Sequence, residues 1–208
     1  MNKPEDMEQL VERNRELEAR VRELEEENLR WMHLVGTNRL TELPNSLMLY
    51  RVVLPAELKQ GDGQGLPIAC LLISPDGLGE INQEYGRGMG DQIIKEMALF
   101  LFESLGGEAR LFHPDGSNFA ILMLQTTEAE AREKAEQIQA DFVNTPLEIE
   151  EWELTDMTCS VGVVTIQGAV SEDDVPDVVD QLYHDLSDRL DRAKQDGGDQ
   201  IVGSREQV

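Results

Sequence analysis

The segment Asp115-Gly-Ser-Asn-Phe119 lies between two stretches with strand-like patterns, and it decides how the middle of the chain folds. Residues 108–113 alternate in polarity and end at Pro114, and residues 119–124 form the apolar run FAILML. An Asp-Gly pair between two such stretches is a strong signal for a tight turn. The sequence therefore predicts a β-hairpin with its turn at this segment.

Two further strands are predicted on either side of the hairpin. Residues 68–74 (IACLLIS) are apolar on both faces, which is typical of a central strand. Residues 157–166 (MTCSVGVVTI) form the fourth strand. Residues 128–142 and 175–194 have the spacing of amphipathic helices, so we expect them to cover the sheet.

Four other segments, taken with the hairpin turn, resemble one family in order and spacing. The segments are TNRLTELPN (37–45), SPDGLGEINQEYGRGMGD (74–91), SVG (160–162) and AK followed by Gly197 (193–197). They resemble the GGDEF domain of diguanylate cyclases. The resemblance implies an α+β fold for residues 36–208. Its central sheet would be mostly antiparallel, flanked by helices and similar to that of nucleotidyl cyclases, with a long coiled-coil helix before it.

The resemblance also implies a chemistry for which the acids are missing here. In the family two GTP molecules meet across two subunits, and carboxylates hold the magnesium that neutralises the developing charge. The family takes these carboxylates from the first Asp of a D-x-D motif and from an acid in the signature turn. Ser74 stands at the first position, and Ser117 and Asn118 stand in the turn between Gly116 and Phe119. We therefore expect a degenerate domain that is not an enzyme, with no catalytic residue and no bound metal or cofactor.

Two charged residues of the pattern are retained. Asp76 keeps the second position of D-x-D, which is not the principal metal position in the family, and a turn or helix-cap acid is the favoured interpretation. Lys194 keeps a late lysine of the family. It is either a remnant of a phosphate contact or, as we favour, a cation that offsets the dipole at a helix C-terminus.

The positions that contact guanine in the family are also retained. Asn82 and Asp91 stand at them, beside the family's glycine positions Gly86 and Gly90. The alternative is that both side chains are caps that hold the turn, with Asp91 starting the next helix. GTP with magnesium therefore stays open as a ligand. The family's site for product inhibition falls on Gly106 and Ala109, so cyclic di-GMP is not expected to bind by that route.

Residues 1–35 carry a second, independent pattern. Apolar residues and asparagines recur in an unbroken 3-4-3-4 spacing that includes Leu10, Asn14, Leu17, Val21, Leu24, Asn28 and Trp31. This is a heptad seam, and asparagine at its a positions favours two parallel strands in fixed register. A solvated single helix would explain the charge but not the seam. We therefore predict a parallel dimeric coiled coil.

Charge and composition limit the partners. The net charge of −24 over 208 residues opposes binding to nucleic acid and to anionic membranes. No membrane-length apolar stretch or signal peptide is visible, which predicts a cytoplasmic protein.

The sequence is compatible with three functions. The favoured one is an inactive dimeric regulatory or scaffolding module that binds a protein partner and is gated, in one version, by GTP. The others are an unusual active cyclase and a purely structural coiled-coil adaptor.

Overall fold

The computed structural model describes residues 4–60, 65–107, 109–149, 152–167 and 170–203. The chain divides into two compact units, Met1–Thr37 and Asn38–Val208. No described helix is long and apolar enough to cross a bilayer.

The first unit is one continuous helix, α1 (Pro4–Val35). The described side chains of its heptad seam are exposed in the single chain, and Leu10 has 66% of its surface accessible. The exposed seam residues are Leu10, Asn14, Leu17, Val21 and Leu24. The side chains of Asn28 and Trp31 lie outside the described residues. The coiled-coil dimer stays a prediction.

The second unit contains a five-stranded sheet in the order β2-β3-β1-β6-β7. Its strands are β1 (Ile68–Pro75), β2 (Arg110–Asp115), β3 (Asn118–Leu124), β6 (Cys159–Ile166) and β7 (Ile201–Val202). Neighbouring strands are antiparallel except β6 and β7, which pair in parallel. A separate hairpin is formed by β4 (Leu147–Ile149) and β5 (Trp152–Leu154). The predicted α+β class and mostly antiparallel sheet are confirmed.

Helices cover both faces of this sheet. A π-helical turn (Met48–Val53) leads into α2 (Leu54–Gln60), and α3 (Leu78–Tyr85) precedes α4 (Arg87–Leu105). The last two are α5 (Glu128–Val143) and α6 (Val175–Gln195).

The two faces of the central strand β1 explain its composition. Leu71 and Ile73 pack into a core shared with α4 and α5, whereas Cys70 and Leu72 pack into a second core shared with α2 and α6. Every residue of β1 is buried. The absence of polar alternation in this strand therefore follows from helices on both faces.

The edge strand β2 differs from the expectation that it ends before Pro114. It runs to Asp115, and its pairing with β3 is irregular between Phe112 and Asp115. Proline has no N–H to donate, so sheets tolerate it at edge strands and bulges. The His113 N–H donates to the Pro44 carbonyl instead (2.8 Å).

The helix α6 lies very close to β6 because residue 162 is a glycine. A Cβ atom at Gly162 would stand 2.8 Å from the Leu186 carbonyl oxygen and 2.9 Å from the Leu190 nitrogen. Both of these are backbone atoms, which a side-chain rotation cannot move away. This close packing holds the helix that carries Lys194 against the sheet.

Candidate functional site

The end of β1 and the turn of the β2–β3 hairpin meet through two hydroxyl groups. Ser74 is fully buried, and its Oγ lies 2.9 Å from the Oγ of Ser117. These are two of the positions at which the sequence predicted that metal-binding acids are missing. Here the two side chains bind each other.

Lys194 completes this cluster from α6. Its Nζ donates to the Ser74 Oγ at 2.9 Å. Burial lowers the pKa of Lys194, while the charges of Asp76, Asp191 and Asp115 oppose that shift. Lys194 does lie in the last turn of α6, as a dipole-offsetting cation would. Its ammonium, however, makes a specific side-chain contact that the sequence analysis missed. We call Ser74, Ser117 and Lys194, with the adjacent Asp76, the metal end of the site.

Asp76 joins three separate segments of the chain. Its carboxylate accepts hydrogen bonds from the hydroxyls of Thr158 (2.8 Å) and Ser160 (2.7 Å) and from the backbone N–H of Asp199 (2.9 Å). Of the two predicted alternatives, a turn acid or a helix-cap acid, the helix cap was wrong, because Gly77 is at the N-cap of α3 and no side chain caps that end. Asp76 lies in the short connection between β1 and α3. The carboxylate instead ties the end of β1 to the start of β6 and to the loop before β7.

The hairpin turn is held by its own side chains. The Asn118 Nδ2 donates to the Asp115 Oδ1 at 2.9 Å across the turn. Gly116 has φ of 51°, a left-handed conformation that suits glycine. Phe119 is fully buried in the core under α4 and α5. The predicted tight turn is therefore present, with its amide and its carboxylate bound to each other.

His113 contacts the hairpin turn with its ring, and the sequence did not identify it as a site residue. It is almost fully buried, and its ring stacks on Phe119 with centroids 4.6 Å apart. Its Nε2 lies 3.0 Å from the Gly116 carbonyl oxygen, and its Nδ1 lies 2.8 Å from the Thr41 hydroxyl.

This geometry sets the protonation state of His113. A carbonyl only accepts, so Nε2 carries the proton and Nδ1 accepts from Thr41. Burial lowers the pKa of His113, against the opposing effects of the Gly116 carbonyl and Asp115. The neutral ring therefore ties the segment before Pro44 to the hairpin turn. A lone histidine has no spacing partner in the sequence, so no pattern pointed to it.

The residues present at the metal end do not fit magnesium. Ser74 and Ser117 carry no negative charge, and the Asp76 carboxylate already accepts three hydrogen bonds. Within the described ranges, no group of three or more His, Cys, Asp or Glu side chains is arranged to hold a metal ion. Magnesium prefers several hard oxygen ligands including carboxylates, and this end does not offer them.

The other half of the site lies where α3 and α4 meet, and we call Asn82, Gly90 and Asp91 the base end. The Asn82 side chain rests on the backbone of Gly90, where an added Cβ would stand 2.2 Å from Asn82 Oδ1. That Oδ1 is buried and has no hydrogen-bond partner among the described residues. Asp91 is exposed on α4.

The capping alternative for the base end was wrong. Helix α4 begins at Arg87 with Gly86 at its N-cap position, so Asp91 lies inside the helix and does not start it. The Asn82 Oδ1 does not act as a cap, because it has no hydrogen-bond partner among the described residues. The Asn82 Oδ1 is therefore a buried acceptor for which the described residues supply no donor.

Comparison with known proteins defines the family. A family model described as diguanylate cyclase, GGDEF domain, matches residues 36–200. This chain therefore belongs to the GGDEF domain family. It is 27% identical over 164 residues to the diguanylate cyclase DosC of Escherichia coli K12, covering 79% of this chain and 35% of DosC. It is 28% identical over 173 residues to the response regulator PleD of Caulobacter vibrioides, covering 83% of this chain and 37% of PleD.

Solved structures share the fold at lower identity. The Pseudomonas aeruginosa diguanylate cyclase SiaD, in complex with its activator SiaC, matches with a TM-score of 0.72 and 21% identity over 96% of this chain and 74% of SiaD. The coiled coil and GGDEF domain of Caulobacter crescentus DgcB, in complex with c-di-GMP, matches with a TM-score of 0.68 and 18% identity over 94% of this chain and 99% of that one. The chain spans about a third of the curated relatives it matches.

Proposed function

We propose that this protein is a catalytically inactive GGDEF signalling module that works by regulation or scaffolding. The observation that carries this proposal is the hydrogen-bonded chain Lys194–Ser74–Ser117 at the metal end. Cyclase chemistry needs metal-bound charge at that place, and two neutral hydroxyls, one of which is bound to an ammonium group, do not supply it. The remaining members of the turn, Asp115 and Asn118, bind each other.

The base end supports a version of this function in which a guanine nucleotide is sensed. Asn82 presents a buried acceptor with no partner in the described part of the chain, and Gly90 leaves the space in which its amide lies. Guanine carries N–H donors at the edge that such an acceptor would bind. In this version binding of the base survives although catalysis does not.

Dimerisation and a protein partner complete the proposal. The described seam residues of α1 are exposed in the single chain, and burying them against a second copy would remove apolar surface from water. SiaD, which shares the fold, is seen in complex with an activator protein. We propose by analogy that this module also acts through a protein partner. Because its net charge is −24, we also propose that it binds neither nucleic acid nor anionic membrane. A cytoplasmic location belongs to the same proposal.

The decisive experiment is calorimetric titration of the purified protein with GTP and, separately, with cyclic di-GMP, both in magnesium, alongside an assay for product. We expect GTP binding without cyclic di-GMP formation. Gly90→Ala should abolish that binding, because its Cβ takes the place of the Asn82 amide. Gly88→Ala is the matched control, since a Cβ there meets nothing within 4 Å.

The other outcomes separate the alternatives. Product formation would establish the unusual active cyclase and end the inactive interpretation. Binding of neither nucleotide would remove the sensing version and favour a scaffold, whose globular unit would then be structural.

The dimer is tested by its own substitution. Leu17→Asp with Leu24→Asp places carboxylates on the seam and should convert a dimer to a monomer in size-exclusion chromatography with light scattering. Val11→Asp is the control, because Val11 is exposed on the same helix but lies outside the a and d positions. A monomeric parent protein, or dimerisation unaffected by the double substitution, would contradict the coiled-coil proposal.

A further inference from the structure

We propose that an open cleft between the π-helical turn and α6 is a docking site for a basic segment of a protein partner. The cleft has a volume of about 530 Å³. It is lined by apolar and aromatic side chains together with two carboxylates: Leu47, Tyr50, Val179, Tyr183, Asp115 and Asp180. This inference deepens the proposed function, because it rests on the proposal of a protein partner and states where that partner would bind.

The first support is the apolar surface that the cleft leaves in water. Leu47 and Tyr183 each keep 41% of their surface exposed, whereas Tyr50 and Val179 are buried. The rings of Tyr50 and Tyr183 meet edge to face with centroids 5.3 Å apart, a favourable arrangement for two aromatic rings. Exposed apolar side chains gathered in a concave place are typical of a surface that binds another molecule.

The second support is the charge around this apolar surface. Asp115 and Asp180 are exposed on the cleft. The segment 171–188, which contributes one wall of the cleft, has no lysine or arginine, and its acids are Glu172, Asp173, Asp174, Asp177, Asp180, Asp185 and Asp188. Among the described residues, no ion pair joins any of these acids to a cation. A cationic group would therefore be attracted to this side of the protein.

The cleft's own basic side chains do not neutralise its carboxylates. Arg51 and His184 also line the cleft. In the part of the chain that the structure describes, neither forms an ion pair with Asp115 or Asp180. The two carboxylates are therefore available to a cation from outside.

These two properties together define the chemistry of the occupant. A guanidinium group stacks on aromatic rings and binds carboxylates through its planar fork, so an arginine would satisfy Tyr183 and Asp180 together. An aliphatic neighbour of that arginine would cover Leu47. An acidic partner would be repelled by the same carboxylates. The occupant that fits is a peptide segment in which basic and aliphatic residues alternate.

Asp115 connects the cleft to the candidate site. Its Oδ1 accepts from the Asn118 Nδ2 across the hairpin turn at 2.9 Å. A carboxylate has a second oxygen and further lone pairs, so a cation can bind Asp115 without removing that hydrogen bond. A docked segment would therefore contact the turn that carries Ser117, and the amide signals of the turn should report its arrival.

The test measures fluorescence anisotropy of labelled peptides with the full-length protein, without nucleotide. The probe is a short fluorescein-labelled peptide in which arginine and leucine alternate. The matched peptides carry glutamate in place of arginine, or alanine in place of leucine. We expect saturable binding of the arginine–leucine peptide and binding weaker by about tenfold or more for the other two. Absence of saturable binding by the arginine–leucine peptide would overturn the inference.

Two pairs of variants separate the cleft from general attraction to an acidic surface. Asp180→Asn should weaken binding of the arginine–leucine peptide by about tenfold. Asp173→Asn is its control, because it removes the same charge from an exposed acid of the same segment that does not line the cleft. Leu47→Ser should also weaken binding, whereas Leu66→Ser, at a similarly exposed leucine elsewhere, should not. Equal effects within either pair would contradict a built docking site.

The unaltered protein provides a measurement that does not depend on the variants folding. In amide NMR spectra, the arginine–leucine peptide should shift the signals of residues 46–51 and 179–184 and of Gly116 in the hairpin turn. Shifts spread equally over the acidic residues of α5 would show diffuse attraction and overturn the inference. Neither measurement uses a nucleotide or a product assay, so its failure can be told apart from failure of the inactive, guanine-sensing function.

Discussion

The metal end and the base end differ in how their polar groups are satisfied. At the metal end each named side chain is bound by its neighbours, from the Lys194 ammonium through Ser74 to Ser117, and around the Asp76 carboxylate. At the base end the Asn82 Oδ1 is buried and finds no partner among the described residues. A closed network needs no ligand, whereas an unpartnered buried acceptor costs free energy until a ligand supplies a donor.

This contrast predicts different roles for the two ends of the site. We expect the hydrogen-bond network of the metal end to contribute to the stability of the fold, and the unpartnered Asn82 acceptor of the base end to act in ligand binding. Substitutions at the metal end should therefore change the free energy of unfolding, and substitutions at the base end should change ligand binding.

The largest effect is expected at Asp76. Asp76→Ala removes the acceptor shared by Thr158, Ser160 and the Asp199 backbone, and Ser160 is fully buried. Leaving these donors without an acceptor should lower the free energy of unfolding by about 2–4 kcal/mol. Chemical denaturation measures the change, and Asp173→Ala, an exposed acid, controls for the lost negative charge. Equal stability of the two variants would show that the metal end is not a structural network.

Lys194 should have the next largest effect. Lys194→Met keeps the aliphatic stem but removes the donor to Ser74 and the positive charge among the surrounding acids. We expect a loss of about 1–3 kcal/mol in denaturant unfolding. Lys59 and Lys194 are both exposed as residues, so Lys59→Met controls for the lost charge and should change stability by less. If the lysine served only the helix dipole, the loss at Lys194 would stay below about 1 kcal/mol.

His113, which contacts the turn between β2 and β3, should make the free energy of unfolding depend on pH. Its pKa is lowered in the folded state by burial, so the unfolded chain binds the proton more tightly. Stability should therefore fall as the pH drops below about 6.5 towards the folded-state value, by at most about 1.4 kcal/mol per pH unit.

The His113 effect is isolated by His113→Gln, which retains a donor towards Gly116 but does not titrate. Its loss of stability relative to the parent protein should be greater at pH 7.5 than at pH 5.5, as measured by urea denaturation. His184→Gln, at an exposed histidine, should leave the difference between the two pH values unchanged. A parallel pH dependence in the parent protein and His113→Gln would contradict this account.

The smallest effect on stability is expected at the base end. Gly90→Ala gains up to about 1 kcal/mol in helix propensity and displaces only the end of a flexible side chain, Asn82. Its free energy of unfolding should stay within about 1 kcal/mol of the parent value, although guanine binding is lost. Gly162→Ala is the contrasting case. Its Cβ would meet backbone atoms of α6, so the midpoint temperature of thermal unfolding should fall much further than in Gly90→Ala.

Much of the architecture was predictable because it depends on local patterns. The apolar strand 68–74, the Asp-Gly turn and the amphipathic helices have periodicities that one segment carries by itself. The boundaries of β2 were less predictable, because a proline inside a strand is tolerated only when that strand lies at an edge. The edge position is a property of the whole sheet, which no local pattern contains.

The roles of Lys194, His113 and Asp76 were not predictable for a related reason. Lys194 and Ser74 are 120 residues apart in the chain, and Asp76 and Asp199 are 123 apart. Neither pair has a spacing rule that would connect it. Even the correct observation that the acids are missing could not reveal that the hydroxyl groups at two of their positions bind each other and that one of them accepts from Lys194.

Residue identities and their spacing are enough to assign the family, most of the sheet's secondary structure, and the lack of carboxylates where the family's chemistry needs them. How the remaining polar groups are satisfied depends on the folded chain: a lysine from α6 binds Ser74, a carboxylate ties three segments together, and an asparagine acceptor has no partner among the described residues. The physical reason is that residue identity and periodicity are local quantities, whereas hydrogen-bond satisfaction and burial depend on which distant segments the fold brings within about 3 Å.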